Sequence, residues 1–265
     1  MQGIFTIADF SVLDFELWAF VLIRISFMVI LLPIIGTKQV PARVKAGLII
    51  ALSILIYSVI PENSVELPTN IPDFFLLALR ELFVAIVMGF SASLMFVGVN
   101  IAGRIVGQST GFAMIQSINP LTEDNESVMA QIQVIFFSLM LVVTGGHLFF
   151  IRIIAESFEV IPLLKVELAY ANIAQVLILL TSQAFVYGVK LAAPVLVTLL
   201  LTTTALAIIA KIMPQINVWL VGMPLKIGIG LASMAFAFPL LWEVFQKQLY
   251  TIQVHQFALM KIFGG

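Results

Sequence analysis

The sequence predicts an all-α, polytopic membrane protein built of kinked helical hairpins. Of its 265 residues, 62% are hydrophobic and only 10% are charged, whereas soluble domains contain about 45–50% apolar and about 25% charged residues. The apolar residues are concentrated in six long stretches, a pattern typical of membrane spans. Because a water-soluble fold of this size could not bury so much apolar surface, we expect the bilayer to be its solvent.

The six apolar stretches differ in length and therefore in what each can be. They cover residues 17–35, 46–60, 82–102, 132–154, 173–210 and 216–242. The second is shorter than the roughly 20 residues that a span needs. The fifth would be about 57 Å long as one helix, well beyond the hydrocarbon core of a bilayer. It is therefore either a hairpin broken near Pro194 or one helix that leaves the membrane.

The charges of the early loops predict their sidedness. Residues 36–45 contain Lys38, Arg43 and Lys45, whereas the N-terminal tail and residues 61–73 contain acidic residues. Because cytoplasmic loops are enriched in Lys and Arg, we expect residues 36–45 to face the cytoplasm and the two acidic segments to face outward.

Three basic residues, Arg24, Lys190 and Lys226, lie inside apolar stretches. Each would cost about 2.5–3.5 kcal/mol at the centre of a bilayer. Any one of them could extend its charge to the interface, but three together favour contacts with carboxylates, water or neighbouring protein. The adjacent Arg80 and Glu81, at the start of the third stretch, offer one such partner.

Glycines divide two of the apolar regions. Gly103, Gly107 and Gly111 recur every four residues, a doubled GxxxG pattern that lets a second backbone approach one helix face closely. Within the fourth stretch, residues 145–147 read Gly-Gly-His. These glycines are expected to weaken a helix and to place the ring of His147 against a neighbour.

The loop that follows the first glycine series is apolar but too short to span a membrane. It contains Phe112, Met114 and Ile115 and ends at Asn119 and Pro120. One interpretation is a packed interfacial loop. The other is a re-entrant element that plugs or lines a pore, where Phe and Met side chains would form a deformable seal.

No motif makes a case for catalysis. Residues 107–111 match G-x-S-x-G, but that motif works as a strand-to-helix turn on an α/β sheet, and no strand pattern surrounds it. The chain has no cysteine and two histidines, with a net charge of −1. We therefore expect no enzymatic activity, cofactor, metal site or nucleic-acid partner. An intramembrane dyad of Ser109 and His147 is the one catalytic hypothesis left open.

A series of short motifs between residues 20 and 245 is specific as an ordered set. The motifs are Arg24 with Pro33, residues 41–45 (PARVK), residues 103–112 with Asn119 and Pro120, residues 145–147, Ser157 and Phe158 with Pro162, Ala193 and Pro194, and residues 214–219 (PQINVW) followed by residues 222–226 (GMPLK). Through these motifs the chain resembles the FliR family of the flagellar type III export gate and its injectisome homologues.

The resemblance implies a single membrane domain over residues 1–265. Within it, a FliP-like portion would extend to about residue 175 with a plug loop at 103–120, followed by a FliQ-like helical hairpin at 176–245 and a tail at 246–265. The resemblance also implies a place in the bacterial cytoplasmic membrane, within the flagellar basal body. FliP-like and FliQ-like gate subunits would be its partners, FlhB-like and FlhA-like membrane proteins its neighbours, and unfolded exported chains its cargo.

The same resemblance implies roles for particular residues. Those of the pore and plug would be Gly107, Gly111, Phe112, Met114, Ile115 and Asn119. Polar contacts between helices or subunits would involve Arg24, Arg80, Glu81, His147, Lys190, Gln215, Asn217 and Lys226. A competing hypothesis is a secondary transporter of a small solute with Lys190 and Lys226 at a midplane site. A membrane serine hydrolase is the third hypothesis.

Overall fold

The computed structural model describes residues 12–37, 39–60, 68, 70–111, 128–164, 170–215 and 217–264. In these residues the regular secondary structure is helical, which confirms the predicted all-α class. Seven helices are present in this part of the chain: α1 Val12–Leu31, α2 Ala42–Tyr57, α3 Ile71–Thr110, α4 Val128–Val143, α5 Gly146–Val160, α6 Tyr170–Ile212 and α7 Val218–Gly264.

Helices α3, α6 and α7 are much longer than a bilayer requires. They contain 40, 43 and 47 residues, so each is about 60–70 Å long at about 1.5 Å per residue. These three are long and apolar enough to cross a membrane, and the bent pair α4–α5 adds a fourth candidate span among the described residues. The fifth apolar stretch is one helix that continues through Pro194, which rejects a hairpin broken at that proline.

The break between α4 and α5 lies at the predicted pair of glycines. Gly145 has a φ of 72°, in the left-handed region that residues with a Cβ rarely adopt. A Cβ at Gly145 would meet no atom within 4 Å, so glycine is favoured here by backbone conformation and not by crowding.

The chain forms two compact units. The first contains residues 1–93, 147–178 and 252–265, and the second contains residues 94–146 and 179–251. In the first unit, α1 packs against α2. Its inner face carries Phe20, Val21, Ile25 and Met28, all at most 1% exposed. The spacing of Val21, Ile25 and Met28, four and three residues, is that of one helix face directed into a core.

The core of the second unit contains buried side chains of α3, α4, α6 and α7. The ring of Phe136 on α4 stacks on Phe238 of α7 at 3.7 Å between centroids. Helices α6 and α7 run antiparallel within this unit. A Cβ at Gly222 would contact Leu206 near their connection, and Lys190 shares a groove with Lys247 farther from it.

The segment expected as a tail is helical. Helix α7 continues without interruption from Val218 to Gly264, past residue 245 where the sequence motifs end. Several side chains of this last part are buried, namely Ile252, Leu259, Met260 and Phe263, each at most 1% exposed. This segment therefore belongs to the core of the first unit.

Candidate functional site

A buried ion pair lies at the centre of the first unit. Arg24 on α1 and Glu81 on α3 are both 0% exposed. The Nε of Arg24 donates to Oε2 of Glu81 at 2.5 Å. The structure thus pairs Arg24, which lies in the first apolar stretch, with Glu81, which directly precedes the third.

The end of α5 completes this cluster. Arg24 Nη1 donates to the backbone carbonyls of Ser157 at 3.0 Å and Ile161 at 2.8 Å. The guanidinium also lies 4.5 Å from the ring centroid of Phe158. The carbonyl of Ser157 also accepts the backbone N–H of Ile161 at 3.0 Å, and carbonyls in the last turn of a helix carry the negative end of the helix dipole. The C-terminus of α5 is therefore a suitable acceptor for the cation.

The carboxylate of Glu81 is held from the same side. Its Oε1 accepts a hydrogen bond from the backbone N–H of Leu164 at 2.9 Å, and Leu164 has a φ of 66°. Both carboxylate oxygens are thus engaged, and the pair is closed to solvent. Such an arrangement fixes α1, α3 and the end of α5 in one geometry, because leaving either charge unpaired in the interior is strongly unfavourable.

Further polar contacts of the first unit were not anticipated from the sequence. Gln256 on α7 donates from Nε2 to the carbonyl of Met88 at 3.0 Å and to Oγ of Ser91 at 2.9 Å. The indole of Trp18 donates to Oγ of Ser53 at 3.1 Å. Each is a single polar group on an otherwise apolar helix face. That signal is present in the sequence, but it does not identify the partner.

The glycine series lies on α3 in the second unit. A Cβ at Gly103 would overlap the backbone of Ala130 on α4, so the two helices are in backbone contact there. Gly107 is buried. Gly111 follows the end of α3 with a φ of 87°, and a Cβ there would lie 3.7 Å from the terminal methyl of Met223. Phe112, Met114, Ile115 and Asn119 lie outside the described residues.

Ser109 lies within α3 and does not have the geometry of a nucleophile elbow. Its Oγ donates to the carbonyl of Ile105 at 2.9 Å, one helical turn earlier. The G-x-S-x-G residues therefore end a helix instead of forming the strand-to-helix turn that the motif needs. Among the described residues, no group of His, Asp and Glu could hold a metal ion.

The other predicted polar residues have separate environments. Arg80 is half-buried, and the described residues place no carboxylate within salt-bridge distance of it. His147 is also half-buried, and its Nδ1 is enclosed without a hydrogen-bond partner in the part of the chain described.

One polar residue of the connection between α6 and α7, Asn217, stabilises the start of α7. Asn217 precedes α7, and its Oδ1 accepts a hydrogen bond from the N–H of Leu220 at 3.3 Å, so it acts as an N-cap. Gln215 is exposed, and Lys226, after Pro224, is half-buried. Lys190 is exposed on α6 and lines a groove against α7.

Comparison with known proteins identifies the family. Residues 15–252 match the family described as bacterial export proteins, family 1. The chain belongs to this family. Its resemblance to FliR, first drawn from short motifs, thus extends over nearly the whole sequence, including the residues of the buried ion pair.

Several curated members of the family are similar over most of their length. The flagellar biosynthetic protein FliR of Escherichia coli K12 is 29% identical over 228 residues, which cover 85% of this chain and 85% of the relative. FliR of Aquifex aeolicus VF5 is 30% identical over 219 residues, covering 82% and 83%. FliR of Bacillus subtilis 168 is 28% identical over 254 residues, covering 92% and 96%.

Family membership establishes the general role of the chain. It is a membrane component of the bacterial flagellar export apparatus, it lies in the inner membrane, and it is not an enzyme. The hypothesis of a membrane serine hydrolase is therefore rejected, in agreement with the helical geometry at Ser109.

Proposed function

We propose that the chain is a channel-forming structural subunit of the flagellar type III export gate, which conducts unfolded flagellar proteins across the cytoplasmic membrane. It would assemble with FliP-like and FliQ-like subunits, with FlhB-like and FlhA-like proteins as neighbours in the basal body. The observation that carries this proposal is the mismatch between the length of the apolar helices and the thickness of a bilayer.

Helices α6 and α7 bury little of their apolar surface within the chain. In their most apolar 18-residue parts only 17% and 22% of the residues are buried, against 67% in α3. A hydrocarbon core of about 30 Å can cover only about half of helices that are 60–70 Å long. The other exposed apolar residues need protein partners, because large apolar patches are unfavourable in water.

The distribution of polarity along α6 indicates which half contacts lipid. Residues 191–210 contain no charged residue, and threonine supplies their hydroxyls. Those hydroxyls bond back to carbonyls one turn earlier, as Thr198 does to Pro194 and Thr202 to Thr198. Residues 171–189 contain two glutamines, an asparagine and a tyrosine, yet expose Phe185 by 57% and Val189 by 53%. Residues 171–189, the N-terminal half of α6, are therefore suited to contacts with other subunits.

The solute-transporter hypothesis is less well supported by the same residues. A small-solute site encloses most of its ligand, whereas Lys190 lies on an exposed surface and Lys226 is half-buried at another level of the hairpin. The described residues also leave no acidic side chain buried and unpaired that could couple an ion.

Assembly tests the proposal directly. The tagged full chain is co-expressed with its FliP-like and FliQ-like subunits and purified in mild detergent, and the mass of the purified complex is measured. We expect a hetero-oligomer. A monodisperse monomer that binds a small solute would reject the proposal in favour of the transporter.

Two matched pairs of substitutions on α6 sharpen this experiment. Phe185→Ser with Val189→Ser alters the half assigned to subunit contacts, and Val197→Ser with Leu201→Ser alters the half assigned to lipid. All four residues are more than half exposed, and the two residues of each pair are four positions apart. We expect the first pair of substitutions to reduce co-purification and the second to preserve it. Equal effects would contradict the division of the helix.

A further inference from the structure

A polar groove between α6 and α7 in the second unit has no role in the function described above. It is a cavity of about 440 Å³. Its polar lining consists of Ser182, Gln183, Tyr187 and Lys190 from α6 with Lys247, Gln248 and Thr251 from α7. Most of these groups can donate hydrogen bonds, and two carry a positive charge.

The two charges of this groove and the hydroxyl of Tyr187 lack protein partners among the described residues. Lys190 and Lys247 are exposed, and the described residues place no carboxylate within salt-bridge distance of either. Tyr187 is only 3% exposed, yet its hydroxyl has no hydrogen-bond partner in the described structure. Buried hydroxyls are normally paired. The combination therefore points to an anionic ligand that accepts hydrogen bonds.

The groove lies at one edge of the apolar band of the hairpin. From Lys190 toward the connection, residues 191–210 form an uncharged stretch of about 20 residues, the length that spans a hydrocarbon core. On α7, residues 227–242 are also uncharged, and Lys247 lies beyond them on the same side as Lys190. The two ammonium groups are thus expected near the level of lipid phosphates.

A second cavity lies between the same two helices, within the apolar band. Its volume is about 480 Å³, and Pro194, Thr198, Ala232, Phe236 and Leu240 are among its lining residues. Residues of α6 and α7 line both cavities, and Pro194 and Thr198 follow Val186 and Lys190 at intervals of four residues, which are neighbours on a helix surface. The polar end of the groove therefore leads into an apolar channel between the same two helices.

We propose that this groove binds an anionic membrane lipid, with its phosphate at Lys190 and Lys247 and an acyl chain along Phe236 and Leu240. Each ammonium group interacts with the phosphate charge, and the hydroxyl of Tyr187 donates a hydrogen bond to a phosphate oxygen. A free phosphate would satisfy the polar end alone, whereas a lipid also fills the apolar end. Basic pockets between transmembrane helices are known to select anionic headgroups. This proposal is independent of the role of the chain in conducting exported proteins.

Lipid selectivity of the full chain tests the proposal. The protein is reconstituted in phosphatidylcholine vesicles that contain a minor fraction of phosphatidylglycerol, and spin-labelled forms of both lipids report their relative association with the protein. We expect phosphatidylglycerol to be preferred. Lys190→Gln with Lys247→Gln should lower that preference by about ten-fold or more, because the lipid phosphate in the groove then loses both of the cations that contact it.

Two further variants separate a specific site from general charge. Lys211→Gln with Lys226→Gln removes the same two charges from α6 and α7 outside the groove and should leave the preference within about two-fold of the original. Tyr187→Phe removes one hydroxyl and no charge, and should lower the preference by about five-fold, the usual size of one hydrogen bond. An unchanged preference after Lys190→Gln with Lys247→Gln, or an equal loss in both lysine pairs, would overturn the proposal.

Two other ligands give distinct outcomes in the same preparation. If inorganic phosphate displaces the spin-labelled lipid at constant ionic strength, the groove takes a soluble phosphate and the lipid assignment fails. If Lys190→Gln with Lys247→Gln prevents co-purification of gate subunits but preserves lipid selectivity, the ligand is an acidic group of a partner and the proposal also fails. Loss of lipid selectivity with retained co-purification supports it.

Discussion

At the scale of single residues, the buried guanidinium of Arg24 is held by the carboxylate of Glu81 and by two backbone carbonyls at the end of α5. Arg24 in an apolar stretch predicted an ion pair or a protein contact, and the carboxylate of Glu81 was a candidate. The two carbonyls at the end of α5 could not be anticipated, because every residue has a carbonyl and only the fold decides which ones face the guanidinium. For the same reason, the sequence does not predict that Gln256 donates to the carbonyl of Met88.

Removing the buried cation should destabilise the chain far more than removing an exposed one. Arg24→Leu leaves the carboxylate of Glu81 buried and unpaired, and we expect a loss of about 3–5 kcal/mol in the free energy of unfolding. Arg152→Leu is the matched control, because Arg152 pairs with Glu156 at 2.6 Å but its side chain is 73% exposed. An exposed pair contributes about 0–1 kcal/mol.

Unfolding of the purified variants in detergent measures both losses. The double variant Arg24→Leu with Glu81→Leu should recover much of the stability, since no charge is then buried alone. If Arg24→Leu and Arg152→Leu unfold at similar denaturant concentrations, the buried pair does not have the importance assigned to it.

At the scale of helices, the length of each apolar stretch could be predicted from the sequence, but where each helix continues or ends could not. Pro194 suggested a break because proline removes one backbone donor and disturbs an ordinary helix. In an apolar environment, however, every other backbone group must still be paired, so the helix on both sides of the proline is retained. The last part of α7 was treated only as a tail because no sequence motif extends into it, whereas the burial of Leu259 and Phe263 depends on the fold.

Two glycines in helices should respond to the same substitution with opposite signs. At Gly103 on α3, a Cβ would overlap the backbone of Ala130, so Gly103→Ala should force α3 and α4 apart and destabilise the chain by about 1–3 kcal/mol. At Gly47 on α2, a Cβ would meet no atom within 4 Å. Gly47→Ala should therefore stabilise the chain by about 0.5–1 kcal/mol through helix propensity.

Denaturant titration of both glycine variants, with helical content followed by circular dichroism, gives the sign of each change. A stabilising effect of Gly103→Ala would contradict the close approach of α3 and α4. Loss of stability in Gly47→Ala would show that the exposed face of α2 is packed against another surface in the purified protein.

At the scale of the whole molecule, hydrophobicity alone predicted a membrane protein but not how its surface is divided between lipid and protein. That division depends on helix length, on the side chains that remain exposed and on the positions of Lys190, Lys211 and Lys226 along the hairpin. The overall amino-acid composition contains no information on helix length, on exposure or on the positions of the lysines. The ordered motifs were more informative, because they identified a family whose members assemble a gate, and the family match over residues 15–252 supports that assignment.

The segment that follows Gly111 gives the most direct test of the channel hypothesis. If Phe112, Met114 and Ile115 close a pore, then deleting residues 112–118 should leave the assembled gate permeable to small ions, because no apolar seal would exclude hydrated ions from the channel. The measurement is ion conductance across bilayers that contain the co-purified complex.

Deleting residues 61–67 removes the same number of residues from a loop predicted to lie outside the membrane, and should preserve the barrier. Both deletion variants must still co-purify with the other subunits, so that a leak reports the plug and not a failed assembly. An unchanged barrier in an intact complex lacking residues 112–118 would reject the plug assignment while leaving membership in the export apparatus unaffected.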